Sequence, residues 1–192
     1  KMINRLYPFH RIGRFHSNDE ALNLLWERSV FTQEVTCDDA NGCDMRERSE
    51  WSGDPLMIGY HMIRVALAGQ KDDGTLYYGD PRLIVNSLRH LAQSQQPDGR
   101  IHARHPSDLC DIHTYIEDFA CIWVLNLRRY YESTGDQELV RELWPVLVRQ
   151  MQWFLDRRTE SGLVKAREFA FFCNPLAYQM CEGATLNAYI YG

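Results

Sequence analysis

The sequence predicts an all-α fold, a succession of antiparallel helices, on three observations. Apolar residues recur at helical spacing in segment after segment, no strand-rich region or internal repeat is visible, and the connections between the helical segments alternate in length. With 192 residues, 45% of them hydrophobic, the chain is long enough for one globular domain with a sizeable core.

Residues 1 to 16 read as an irregular, basic and aromatic lead-in, and residues 17 to 192 as the helical domain. A first helix is predicted over about 20 to 35, capped by Ser17 or Asp19 and carrying Leu22, Leu25, Trp26, Val30 and Phe31. A second, about 55 to 69, has Pro55 in its first turn, Met57, Tyr60, Ile63, Val65 and Leu67 as apolar positions, and Gly69 as its stop. The third, about 81 to 95, starts on Pro81 after the turn-rich D-D-G-T and is broken by Q-Q-P-D-G. The fourth, about 114 to 133, is the most apolar and ends at Gly135; Asp136 then caps a fifth that reaches about 156. A sixth begins near 183. Trp26, Trp123, Trp144 and Trp153 lie in helical apolar patterns, so core packing is their default role.

Composition narrows the function. A formal charge of -5 and a pI near 5.8, with no basic stripe, argue against a nucleic-acid partner. No apolar run is long enough for a membrane-spanning helix, and the first residues lack the apolar centre of a signal peptide. Because the chain opens on Lys1, we expect it to be cut from a longer protein. Its six cysteines are too spread for a disulfide-dense framework; buried thiols and disulfides both stay open, and with them secreted, periplasmic and cytoplasmic localisation.

In an up-and-down array alternate connections lie at opposite ends. The long ones here (36 to 54, 96 to 113, 157 to 182) therefore gather at one end, and long loops are where function concentrates. The first contains Cys43 to Asp54, C-D-M-R-E-R-S-E-W-S-G-D, with the carboxylates Asp44, Glu47, Glu50 and Asp54, the guanidiniums Arg46 and Arg48, and Trp51. The second reads P-D-G-R-I-H-A-R-H-P-S-D, and the third contains R-E-F-A-F-F and leads to Glu182-Gly183. Carboxylates, arginines and flat aromatics together suit a sugar: rings stack on its C–H faces while charged groups bind its hydroxyls. A salt-bridged loop with Trp51 in the core is the plainer reading, and Glu182 alone would suit a helix start. The spacing of His102, His105, Cys110 and His113 has zinc-ligand donor types but matches no closed zinc module, so we expect neither metal nor cofactor.

The first long loop resembles the D-C-P-x-R-E-R-x-x-W-x-G-D signature of bacterial α-L-rhamnosidases, glycoside hydrolase family 78. F-H-S-N-D-E-A-L-N-L-L-W, P-D-G-R-I, Y-Y-E-S-T-G-D and E-G-A-T-L-N-A-Y extend the similarity over nearly the whole chain. The resemblance implies an (α/α)6 barrel, of which six helices would be the N-terminal half, and an inverting hydrolase releasing terminal α-L-rhamnose. It implies that Glu47, four positions before Trp51, is the general acid, and that Arg46, Trp51 and Asp54 hold the sugar. Arg48, Asp118 and Glu182 are further substrate-binding candidates; Asp118 matches a family acid, although Ile116 stands where the family has tryptophan. Gly42 replaces the leading aspartate and Asp44 the proline, so Asp44 is a candidate for the lost carboxylate. The family's W-E segment bearing the general base does not occur before Gly192, so either the base lies elsewhere or Glu182 serves. A rhamnose-containing carbohydrate is the implied partner, with the other half of the barrel or a second copy beside it. Another six-hairpin glycosidase, a carbohydrate-binding relative without catalysis and a helical interaction module are the competing readings.

Overall fold

The structure, a computed structural model, describes residues 6–40, 49–53, 60–107, 115–167 and 183–192. Within them lie six helices, α1 (Glu20–Thr36), α2 (Tyr60–Ala66), α3 (Arg82–Gln93), α4 (Glu117–Thr134), α5 (Gln137–Leu155) and α6 (Ala184–Tyr191), and three short strands, β1 (His10–Arg11), β2 (Leu67–Gln70) and β3 (Leu76–Tyr78). The predicted caps are in place. The Asp19 carboxylate accepts from the Ala21 N–H at 2.8 Å, and that of Asp136 accepts from Glu138 and Leu139 at 2.9 and 3.1 Å. Gly135 closes α4 at φ 71°, the left-handed conformation that favours glycine.

The strands correct the second helix. It was expected to run to Gly69; α2 stops at Ala66, and the chain continues as β2, the centre of an antiparallel sheet of order β1-β2-β3 (residues 55–59 of the expected helix lie outside the described residues). The register pairs His10 with Ala68 and Ala68 with Tyr78, so the segment read as lead-in supplies a strand. Ile12 and Gly13 both donate their N–H groups to the Ala66 carbonyl, capping the helix end from 53 or more residues away in sequence. Gly69 has a different task from the one predicted. A Cβ there would lie 1.7 Å from Asp80 Oδ2, and Asp80 is a buried carboxylate held by Arg82 at 2.5 Å and by the Tyr7 hydroxyl at 2.6 Å.

The main core is built by α2 to α6, with Ile63, Ile84, Leu88, Leu91, Trp123, Leu127, Phe154 and Leu186 at its centre. Trp123 is fully buried and donates its indole N–H to the Leu88 carbonyl at 3.0 Å. Trp144 departs from expectation: it is 54% exposed, on the outer face of α5. On α1 only Val30 among the predicted apolar positions is buried, while Leu22, Leu25 and Phe31 face outward. Cys37 and Cys121 are buried in the core, where the Cys37 sulfur accepts from Gln33 Nε2 at 2.9 Å, and the other four cysteines lie outside the described residues. No helix among the described residues is long and apolar enough to cross a membrane.

Candidate functional site

The described parts of the three long loops converge on the first turn of α4. Residues 50 to 53 lie antiparallel to 103 to 105: Trp51 bridges Arg104, the Ser52 N–H donates to the Ala103 carbonyl at 2.8 Å, and the His105 N–H to the Glu50 carbonyl at 3.1 Å. The Ser52 hydroxyl then donates to the Phe119 carbonyl at 2.8 Å, tying both loops to α4. From the third loop Arg157 grips Glu117 with two bonds of 2.7 and 3.1 Å, and the Arg167 N–H donates to the same carboxylate at 2.9 Å. Glu117 and Asp118 thus start a helix, where negative charge is favoured, and are both buried.

Trp51 anchors the junction. It is 8% exposed; the Phe119 ring meets it edge-on at 5.9 Å and the Arg104 guanidinium lies 4.9 Å from its centroid. Its indole N–H is buried without an acceptor among the described residues. Ile116, Ile122 and Ala103 complete this small second core, and Tyr189 packs against both it and the main one. Asp118, directly before Phe119, has no exposure to solvent. The structure therefore brings Trp51 and Asp118 together through Phe119, and neither side chain is open to solvent. Asp44, Arg46, Glu47, Arg48, Asp54 and Glu182, together with Cys110 and His113, lie outside the described residues.

Several polar groups at this end were given no substrate-binding or catalytic role from the sequence. Glu50 is buried and accepts from or donates to His90 Nδ1 at 2.8 Å. Burial raises its carboxyl above the usual range, opposed by hydrogen bonds with Ser87 and His90 and by the charge of His90. His102 packs edge-on to Tyr115 at 4.9 Å and near His105 at 6.3 Å. Burial lowers both imidazoles below their ordinary value, with further contributions from His105 and Arg100 at His102 and from His90 at His105. Arg100 lies 4.2 Å from the Tyr115 centroid, and Arg157 3.5 Å from that of Trp153. Glu50 was visible as one of the carboxylates of the signature stretch, but His90, Glu117 and Arg157 sit in helical or connecting segments with no motif to mark them. Among the described residues no cluster of His, Cys, Asp and Glu has the arrangement of a metal site.

Chemically, this end offers imidazoles held below their ordinary pKa by burial, a buried carboxyl and stacked guanidiniums. By class the chain is a helical domain whose long loops, in their described parts, gather at the first turn of α4. Residues 10–173 match the model of the bacterial alpha-L-rhamnosidase 6 hairpin glycosidase domain, and the chain belongs to that family. Two solved structures share its fold. One is a GH78 family rhamnosidase of Bacillus sp. GL1, with a TM-score of 0.78 and 20% identity over 96% of this chain and 18% of that one. The other is a rhamnosidase from Klebsiella oxytoca with rhamnose bound, with a TM-score of 0.71 and 22% identity over 94% of this chain and 33% of that one. The chain thus spans a third or less of the length of either. No curated protein matches it by sequence.

Proposed function

We propose that this chain forms about half of an (α/α)6 barrel, residues 17 to 192 following a short lead-in, and carries the acid side of an inverting α-L-rhamnosidase site. The observation that carries the reading is the convergence of the three long loops on the first turn of α4, with the stretch leading into Trp51 ending in that junction. Family membership and the rhamnose-bound neighbour support a rhamnose-containing substrate. The small share of either neighbour that the chain covers supports a larger whole.

In this mechanism Glu47 donates its proton to the glycosidic oxygen as the bond from that oxygen to the anomeric carbon breaks. A water on the opposite face, deprotonated by a carboxylate supplied from outside this chain, forms the new bond and inverts the configuration. Asp44, Arg46, Arg48, Asp54 and Glu182 bind ring hydroxyls. Trp51 and Asp118 complete the substrate-binding set from the loop junction, where Phe119 and Arg104 hold the Trp51 ring. Arg46 and Arg48 flank Glu47 and would hold its pKa down, whereas a general acid needs it raised, so Glu47 must face an apolar or acid-lined wall. In the intact protein Glu47→Gln lowers turnover of an aryl α-L-rhamnoside by about 10²- to 10⁴-fold while thermal unfolding stays unchanged. Near-normal turnover with normal folding would overturn the assignment.

A further inference from the structure

At the end of α4 away from the loop junction lies a second concavity, a half-open groove of about 360 Å³, a size that suits a small ligand. The 18 residues of α4 set it on the order of 25 Å from Glu117 at 1.5 Å per residue. The first turn of α2, the end of β3 and the last turn of α4 form its walls, through Tyr60, Arg64, Tyr77, Tyr78, Ser133 and Thr134. Tyr60 is buried and its hydroxyl is hydrogen-bonded to Ser133, whose own hydroxyl donates to the Tyr130 carbonyl at 2.9 Å, so this wall is rigid. Tyr78, by contrast, is 69% exposed at the rim, an aromatic surface that nothing among the described residues covers.

Arg64 is the one charged side chain among the described residues that line the groove. Arg64 lies 5.6 Å from the Tyr60 ring centroid and has no carboxylate partner among the described residues. The carboxylates next to the groove in sequence are already engaged: Asp80 by Arg82 and Tyr7, Glu132 by Arg128, and Asp136 by the Tyr130 hydroxyl. Lys71 lies 5.2 Å from the Tyr77 centroid and adds positive potential beside it, while the charge of Arg82 is met by Asp80. An unpaired guanidinium takes a planar carboxylate with two parallel bonds, tyrosine rings cover the C–H face of a pyranose, and the Ser133 and Thr134 hydroxyls serve its hydroxyl groups.

From this geometry we infer that the groove is a second carbohydrate site, separate from the loop junction, and that it binds a sugar unit bearing a carboxylate, a uronosyl residue. It engages polysaccharide at a distance from the cleaved bond and adds avidity without chemistry. Calorimetric titration of the intact protein with trigalacturonate, and with its neutral methyl ester, tests this. Saturable binding of the acid is expected at millimolar concentration, weakened about tenfold by Arg64→Gln, the size of one charge-assisted bond, and clearly weakened by Tyr78→Ala. The ester should bind the unaltered protein no better than the acid binds the Arg64→Gln variant. Both substitutions are of exposed side chains, and thermal unfolding checks that each variant is folded. No saturable binding, equal binding of acid and ester, or unchanged affinity in both folded variants overturns the inference. Hydrolysis of a small aryl rhamnoside by the same samples should be unaltered by either substitution. That readout tests the loop-junction reading separately, so either proposal can fail without the other.

Discussion

Gly53, the glycine of the W-S-G-D part of the signature, shows how sterics act at a single position. A Cβ there would lie 2.5 Å from Phe119 Cζ, inside any permitted contact, and Phe119 is itself pinned by the Trp51 ring and by the Ser52 bond to its carbonyl. The glycine therefore lets the first long loop close onto α4. Gly53→Ala should destabilise the fold by about 1–3 kcal/mol through overpacking, read as a lower urea midpoint. The double variant Gly53→Ala/Phe119→Leu should recover part of that loss, because the smaller side chain vacates the space the methyl needs. No recovery would mean that the ring is not what the glycine makes room for.

Among the elements, the junction of α4 with the third long loop depends on Glu117 and Arg157. Both are buried, and the guanidinium is stacked on Trp153 while its two bonds to Glu117 hold the loop against the helix start. Such a pair contributes little net stability over an apolar pair, but breaking it on one side leaves a charge in the interior. Arg157→Met should cost about 3–5 kcal/mol, visible as a large fall in melting temperature. Arg157→Met/Glu117→Gln should lie well above the single variant, because no buried charge is then left unpaired. Equal melting temperatures for the two would show that the loss comes from packing against Trp153 alone.

For the whole molecule the histidines at the loop end set a pH dependence. His102 and His105 are both held below their usual 6.5, chiefly by burial. The unfolded chain therefore takes up protons on them at a pH where the folded chain resists. Stability from this source is present in full above the usual histidine value and is lost as pH falls below it. Glu50 acts in the opposite sense: its raised carboxyl favours the folded state below its usual 4.5, and that contribution is lost as pH rises through its folded value. Urea unfolding free energy should thus decline from about pH 7 to about pH 5.5, the histidine window, with a shallower slope in His105→Gln. An identical slope in the variant would place the proton uptake elsewhere.

Much of this protein could be read from local chemistry. Helical spacing located the six helices of the described residues, Asp19, Gly135 and Asp136 marked ends of three of them, and the spacing of arginines, acids, Trp51 and Gly53 pointed to the family, because caps, periods and motifs are written within a few residues of one another. Non-local contacts decided the rest. Whether residues 67 to 70 continue a helix or form a strand depends on His10 and Arg11, more than fifty residues earlier. Trp51, set among acids and arginines in sequence, is buried with Arg104 over its ring, and Trp144, in a helical apolar pattern, lies open. The pairs Glu50 with His90 and Glu117 with Arg157 are each separated by 40 residues. The sequence by itself determined roughly where the helices lie, apart from the end of α2, and which family they build. Tertiary structure alone decided which side chains are buried, which charges meet and which groove stays open, because burial and partner choice are properties of packing between segments that no local pattern encodes.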